Sequence, residues 1–155
     1  MIHGARYAYL ALAWAFVVGI LVQVFFIGLG LFLEPQDFDL HVNFGWMLHQ
    51  GPVPILLVAA LAAAGRKRIL QTAALAVIFF IVPILAAIRA GARWAAVFHP
   101  VGALLGFWLA TIVARGATGL VRSTDPVEPT RMRDWALVAL VVVAIVVMSM
   151  GGPGA

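Results

Sequence analysis

The sequence predicts an all-α fold: a polytopic integral membrane helix bundle, with an antiparallel four-helix unit followed by a fifth, C-terminal transmembrane helix. Three observations predict it. Hydrophobic residues make up 65% of the 155-residue chain and charged residues only 10%, where a soluble domain carries about a quarter charged. Several apolar runs reach about 18 residues or more, long enough at about 1.5 Å per residue to cross a hydrocarbon core roughly 30 Å thick. The charges cluster between these runs, as in "GRKR" and "RAGAR".

Taken in order, the runs give spans at about 7–33, 40–64, 69–88, 94–114 and 135–150. The first, "AYLALAWAFVVGILVQVFFIGLGLFL", is too long for a signal-peptide core and no A-x-A site follows it, so a retained helix is expected. Short connections make the second, third and fourth spans antiparallel neighbours. Residues 1–115 form the four-helix unit. Residues 116–134, with the prolines of "TDPVEP", form a polar linker to the fifth helix. That helix is an almost featureless Val/Ala/Ile rod, free to meet lipid or other membrane subunits.

Loop charge sets the expected orientation. Placing the N-terminus inside assigns Arg6, Arg66, Lys67, Arg68, Arg115, Arg122, Arg131 and Arg133 to the cytoplasmic side. Only Arg89 and Arg93 then lie outside, where the first external loop, "EPQDFD", carries three acids. The positive-inside rule therefore favours N-terminus in and C-terminus out. The Arg-rich, Ala/Val/Gly-rich composition fits a GC-rich bacterial gene and an inner-membrane location. The net charge of +4 follows from these loops and implies no nucleic-acid partner. The absence of cysteine excludes disulfides, iron–sulfur clusters and thiolate metal sites.

Few polar side chains fall within the spans. They are Gln23 in the first, His41 and His49 in the second and His99 in the fourth. Thr72, Thr111 and Ser149 can bond their own helix backbone. Counting from the basic ends along straight helices, Gln23, His49 and His99 share one layer, roughly 24–26 Å above their anchors, with His41 roughly 12 Å further out. A kink at Pro52 or Pro54 would bring these levels closer. The same prolines remove two donors and should free carbonyls near Leu48 and Gln50.

Small-residue stripes suggest where these groups point. His99 aligns with Gly102, Ala103, Gly106 and Ala110, and Gln23 with Ala11, Ala15 and Gly19. Such stripes let membrane helices approach closely. Two neutral imidazoles meeting from different helices inside an apolar bundle can hold a haem iron from both sides. In that reading His99 and His49, or His41 in its place, are the metal ligands. Gly102 and Gly106 make room for the ring, Arg89 and Arg93 meet the propionates, and Gln23 orients a histidine by accepting its second N–H.

The simpler readings stay open. Each histidine can instead bond a nearby carbonyl, and His41 has Asp37 and Asp39 close by. Arg89 and Arg93 can pair with Glu34, Asp37 or Asp39. Met148 and Met150 fit lipid-facing packing better than axial ligation, and His3 is expected to be solvated. Zinc or di-iron centres would want carboxylates beside the histidines, and the spans hold none. No nucleophile stands with a base, so the sequence points away from an enzyme. No ionisable chain crosses the inner half, so a transport path is disfavoured.

The stretches "LVQVFFIGLGLF", "FGWMLHQ" and "FHPVGALLGF" together resemble a family of small bacterial membrane proteins known only as a domain of unknown function. Its members are four-helix units with a glutamine in the first helix and a histidine in each of the second and fourth. More distantly, the layout is similar to one half of haem A synthase. That resemblance, over roughly residues 5–115, implies a b-type haem pocket near the outer face, with His99 as the fourth-helix ligand. "HVNFG" places His41 four residues before Gly45 in the haem A synthase manner, while His49 fits the smaller family's pattern. The chain lacks that enzyme's third-helix glutamine, its second half and its acidic catalytic-type motif, so the activity is not implied. Two functions are expected to compete: electron transfer through haem b, and a non-catalytic accessory subunit of a larger respiratory or photosynthetic complex.

Overall fold

Hydrocarbon offers no partners to a polar backbone, so an apolar chain of this kind must close its hydrogen bonds within helices. The computed structural model describes residues 2–150, without the side chain of Met150, and is helical in this way. Its elements are α1 (Ile2–Phe32), α2 (Phe38–Leu48), α3 (Pro52–Leu61), α4 (Arg66–Ala87), α5 (Arg93–Ala96), α6 (Phe98–Arg122) and α7 (Met132–Met150). Short 3₁₀ turns at Pro35–Asp37 and Ile88–Ala90 precede α2 and α5. No strand occurs among the described residues. Five segments are long and apolar enough to span a membrane, with α2 and α3 sharing one span and α5 and α6 another. The protein is a multi-pass membrane bundle.

The four-helix unit is arranged as a ring. α1 packs on α2, α3 and α6, while α4 packs on α3 and α6. The α2–α3 span and α6 therefore stand on one diagonal, and α1 and α4 on the other. Across the centre, the Phe16 and Phe79 rings meet edge to face at 4.7 Å, and the Tyr9 hydroxyl hydrogen-bonds Thr72 at 3.1 Å. Tight packing comes from Ala13 on α1 and Ala110, Ala114 and Ala117 on α6, all buried. The stripe expected on α1 does not serve this purpose, since Ala11 and Ala15 are exposed. The buried face is instead Tyr9, Ala13, Phe16, Val17 and Ile20. Gly19 takes part at its edge, where an added Cβ would stand 2.8 Å from Leu48.

The second span is broken where its prolines fall. α2 ends at Leu48, His49 is its C-cap, and α3 restarts at Pro52. The carbonyls expected to be free are not. Gly51 N–H donates to Leu48 O at 2.9 Å and Val53 N–H to Gln50 O at 3.1 Å. Tightened i→i−3 bonds have replaced those the prolines cannot make.

The α3–α4 connection closes with a Schellman-type cap. Ala64 N–H donates to Ala59 O and Ala63 N–H to Ala60 O, both at 3.1 Å. The residue that must turn left-handed is Ala63, at φ 50°, a position where glycine is usual. An L-residue there costs about 1–2 kcal/mol, partly offset by glycine's larger unfolded-state entropy of about 0.4–1 kcal/mol. Ala63→Gly should therefore stabilise the bundle by up to about 1 kcal/mol, read as a raised unfolding midpoint in detergent.

Basic residues gather at one end of the bundle. Arg68 donates to Gly116 O and Ala64 O, both at 3.0 Å. Arg6 reaches Leu120 O at 3.5 Å. α6 runs past the expected boundary to Arg122, so the chain outside helices before α7 is only 123–131. α7 is not a free rod. It lies on α3 and α4, with Val138 buried among Leu56, Ala60, Ile69 and Ala73. The Asp134 carboxylate, 4% exposed, pairs with Arg66 at 2.7 Å.

Candidate functional site

At the end of the bundle opposite Arg6, Arg66 and Arg68, the helices separate around a cavity of about 430 Å³. Its walls come from all four spans and are almost wholly apolar, including Ile20, Val24, Ile27, Phe79, Val82 and Phe107. The polar exceptions are Gln23, His41, His49 and His99, which all line it. Its exposed aliphatic lining, Leu21 and Val24 of α1 and Leu104 of α6, lies on two neighbouring helices. The cavity thus reaches the outer surface between them.

His41 and His99 project from diagonally opposite spans, and their ring centroids are 6.3 Å apart with planes at 83°. His41 Nδ1 lies 3.2 Å from Gln23 O and His99 Nδ1 2.8 Å from Val82 O. A carbonyl oxygen only accepts, so each Nδ1 carries the proton and donates it. Each Nε2 is consequently left with its lone pair. The two helices of one diagonal supply the rings, and the two of the other supply the carbonyls that orient them.

Gln23 acts on His41 twice. Its backbone carbonyl receives the ring proton, and its side-chain Nε2 donates to His41 O at 2.7 Å. The expectation that the glutamine side chain would accept from a histidine is thus replaced by an exchange through both backbones. Gly45, one helical turn beyond His41, makes it feasible, because an added Cβ would stand 2.7 Å from Gln23 Nε2. Gln23 Oε1 is buried and has no partner.

His49 occupies a different position from the one the straight-helix count gave it. Its Nδ1 donates to Trp46 O within its own helix, and its ring stands 5.3 Å from the Trp46 indole. It lines the same cavity, eight positions along the α2 chain from His41, but the ring facing His99 is that of His41. No group of three or more metal-ligating side chains is assembled among the described residues.

The other expected site residues separate from the cavity. Gly102 and Gly106 face α4, where added Cβ atoms would meet Val82 at 2.8 Å and Phe79 at 2.7 Å. Their offsets of three and seven from His99 turn them toward that neighbour. The cavity wall runs instead through Pro100, Ala103, Leu104 and Phe107. The two glycines therefore set the α4–α6 spacing that carries His99, and they make no slot. Arg89 and Arg93 are exposed on the segment leading into α6, outside the cavity lining. Neither joins an ion pair among the described residues. Met148 is exposed on α7, and the side chain of Met150 lies outside the described residues.

Two features had no sequence signal of their own. The orienting groups at Gln23 and Val82 are backbone carbonyls, which any residue supplies. Asp134 was legible only as a linker acid, although its place in the first turn of α7 suits a carboxylate near a helix N-terminus.

Residues 23–90 match the model of a family of unknown function (DUF6220). The matched stretch runs from Gln23 through His41, Gly45, His49 and Val82, and ends before His99. No curated protein and no solved structure matches the chain.

Proposed function

We propose that this small membrane protein binds a b-type haem between His41 and His99 and passes electrons at that end of the bundle. The observation that carries the reading is the pair of imidazoles on opposite spans, each with Nδ1–H committed to a carbonyl and Nε2 free. Metal-bound histidines are characteristically oriented by such a partner on the second nitrogen. A metal held between two imidazoles would set their ring centres roughly 6 Å apart, from bonds of about 2.0–2.1 Å plus about 1 Å from nitrogen to ring centre on each side. The spacing here is 6.3 Å. The cavity's volume lies within the range of about 300–1,000 Å³ usual for cofactor sites, and its apolar walls suit a porphyrin. The more distant resemblance to haem A synthase agrees with this assignment.

A bound haem supplies a one-electron redox centre. The chain's own residues would hold and orient it: His41 and His99 would donate lone pairs, and the Gln23 and Val82 carbonyls fix the ring planes. Leu21, Val24 and Leu104 shield the site with aliphatic surface. The charge asymmetry of the loops supports an outer-side position for this end in a bacterial inner membrane, with the N-terminus inside. Arg89 and Arg93, exposed at this end and outside the cavity lining, would be the cations open to propionates that reach the surface.

An absorption spectrum of the detergent-purified protein, oxidised and then reduced with dithionite, tests the reading. A bis-histidine haem gives a Soret band and sharp reduced α and β bands. A colourless preparation from haem-sufficient cells would sink it.

A further inference from the structure

A second concavity, about 190 Å³, lies at the basic end, on the seam between the start of α4 and the start of α7. Arg66 lines it from α4, and Glu128, Arg131, Arg133 and Asp134 line it from the segment entering α7. Asp134 is buried and already held by Arg66 at 2.7 Å, with Arg133 further off at 3.9 Å. Glu128 reaches Arg131 only at 3.7 Å, and both side chains are mostly exposed. Three guanidiniums against two carboxylates leave the seam one positive charge in excess. Arg131 and Arg133 have donors to spare, since a guanidinium carries five.

The position selects the anion. The apolar spans Arg66–Ala90 and Met132–Ser149 both begin at this seam, where lipid headgroups would meet the chain. Met132, between Arg131 and Arg133 in the chain, is 83% exposed. Arginine pairs with phosphate in a bidentate fork, and basic pockets between membrane helices bind anionic headgroups. We propose that the pocket binds the phosphate of an anionic glycerophospholipid. Arg131 and Arg133 grip the phosphodiester, whose single negative charge balances the seam. A lipid held only by the folded seam stabilises the docked α7 by mass action. The site is independent of the haem reading.

The full chain is reconstituted in nanodiscs of phosphatidylcholine, with and without phosphatidylglycerol. Its unfolding midpoint and the lipid it retains in native mass spectrometry are then measured. Phosphatidylglycerol should raise the midpoint by several degrees and remain bound as a discrete adduct. Arg131→Ala/Arg133→Ala should lose both effects. Arg115→Ala/Arg122→Ala removes the same charge from the same end outside the pocket, and should keep both. Equal midpoints in the two lipids would overturn the proposal. So would loss of the response in the Arg115/Arg122 control, which would mean diffuse attraction. Inorganic phosphate in phosphatidylcholine discs matching the phosphatidylglycerol effect would overturn the lipid assignment in favour of a soluble anion.

Discussion

His41→Ala and His99→Ala should each abolish the reduced α and β bands, while His49→Ala leaves them in place. The expectation follows from which rings meet. His41 and His99 stand 6.3 Å apart on opposite spans, whereas His49 sits eight residues further along, roughly 12 Å by helical rise. Its Nδ1 proton is given to Trp46 O in its own helix, so its ring is set by α2 alone. His41 and His99 would be the chain's two bonds to the iron, and either substitution would remove one of them. The helix break at His49–Gly51 offers no register shift that would carry His49 into the place of His41. Added imidazole should restore the bands in His41→Ala by filling the vacated space. That rescue separates loss of a ligand from loss of the fold. The reverse pattern, bands lost in His49→Ala and kept in His41→Ala, would move the site about two turns along α2.

Membrane location and the five spans were legible because they depend on bulk properties, run length and charge placement, that hydrocarbon enforces strictly. The polar set lining the cavity was legible for a related reason: so few polar groups enter the spans that each can be weighed singly. The pairing of His41 with His99 was harder to read. A depth count assumes one straight axis from Arg66 to His41, but the chain leaves the helix at Ala62–Gly65 and again at His49–Gly51. Each interruption shortens and redirects the path, and His41 arrives at the level of Gln23. The glycines of α6 misled for a different reason. Small residues at helical spacing mark close approach, but spacing does not say whether a helix or a ligand makes it. For Gly102 and Gly106 the neighbours are Val82 and Phe79 of α4. α7 docks through Val138 and its apolar neighbours and through one buried carboxylate, Asp134, whose partner Arg66 lies 68 positions earlier. No local pattern links the two.

Gly45→Ala should weaken haem binding by up to about 10-fold, the equivalent of the roughly 0.5–1.5 kcal/mol that one hydrogen bond contributes. By helix propensity alone the substitution would stabilise α2 by about 0.5–1 kcal/mol. The new Cβ falls 2.7 Å from Gln23 Nε2, the movable end of a flexible side chain, so the cost is the hydrogen bond that the amide gives up and not the clash itself. The amide must swing off, and its bond to His41 O goes with it. α1 and α2 then lose half of the exchange that fixes their spacing at His41, leaving the 3.2 Å bond from His41 Nδ1 to Gln23 O as the only polar tie. A double-mutant cycle isolates this route. Gln23→Ala removes the amide and opens space for the methyl that Gly45→Ala adds, so Gln23→Ala/Gly45→Ala should bind haem as Gln23→Ala does alone. The two effects are expected to be strongly non-additive, as contacting residues are. Haem titration of the four proteins in detergent, with the reduction potential recorded for each, measures the coupling. Additive losses would show that Gly45 acts on the cavity without Gln23, through the packing of α2 alone.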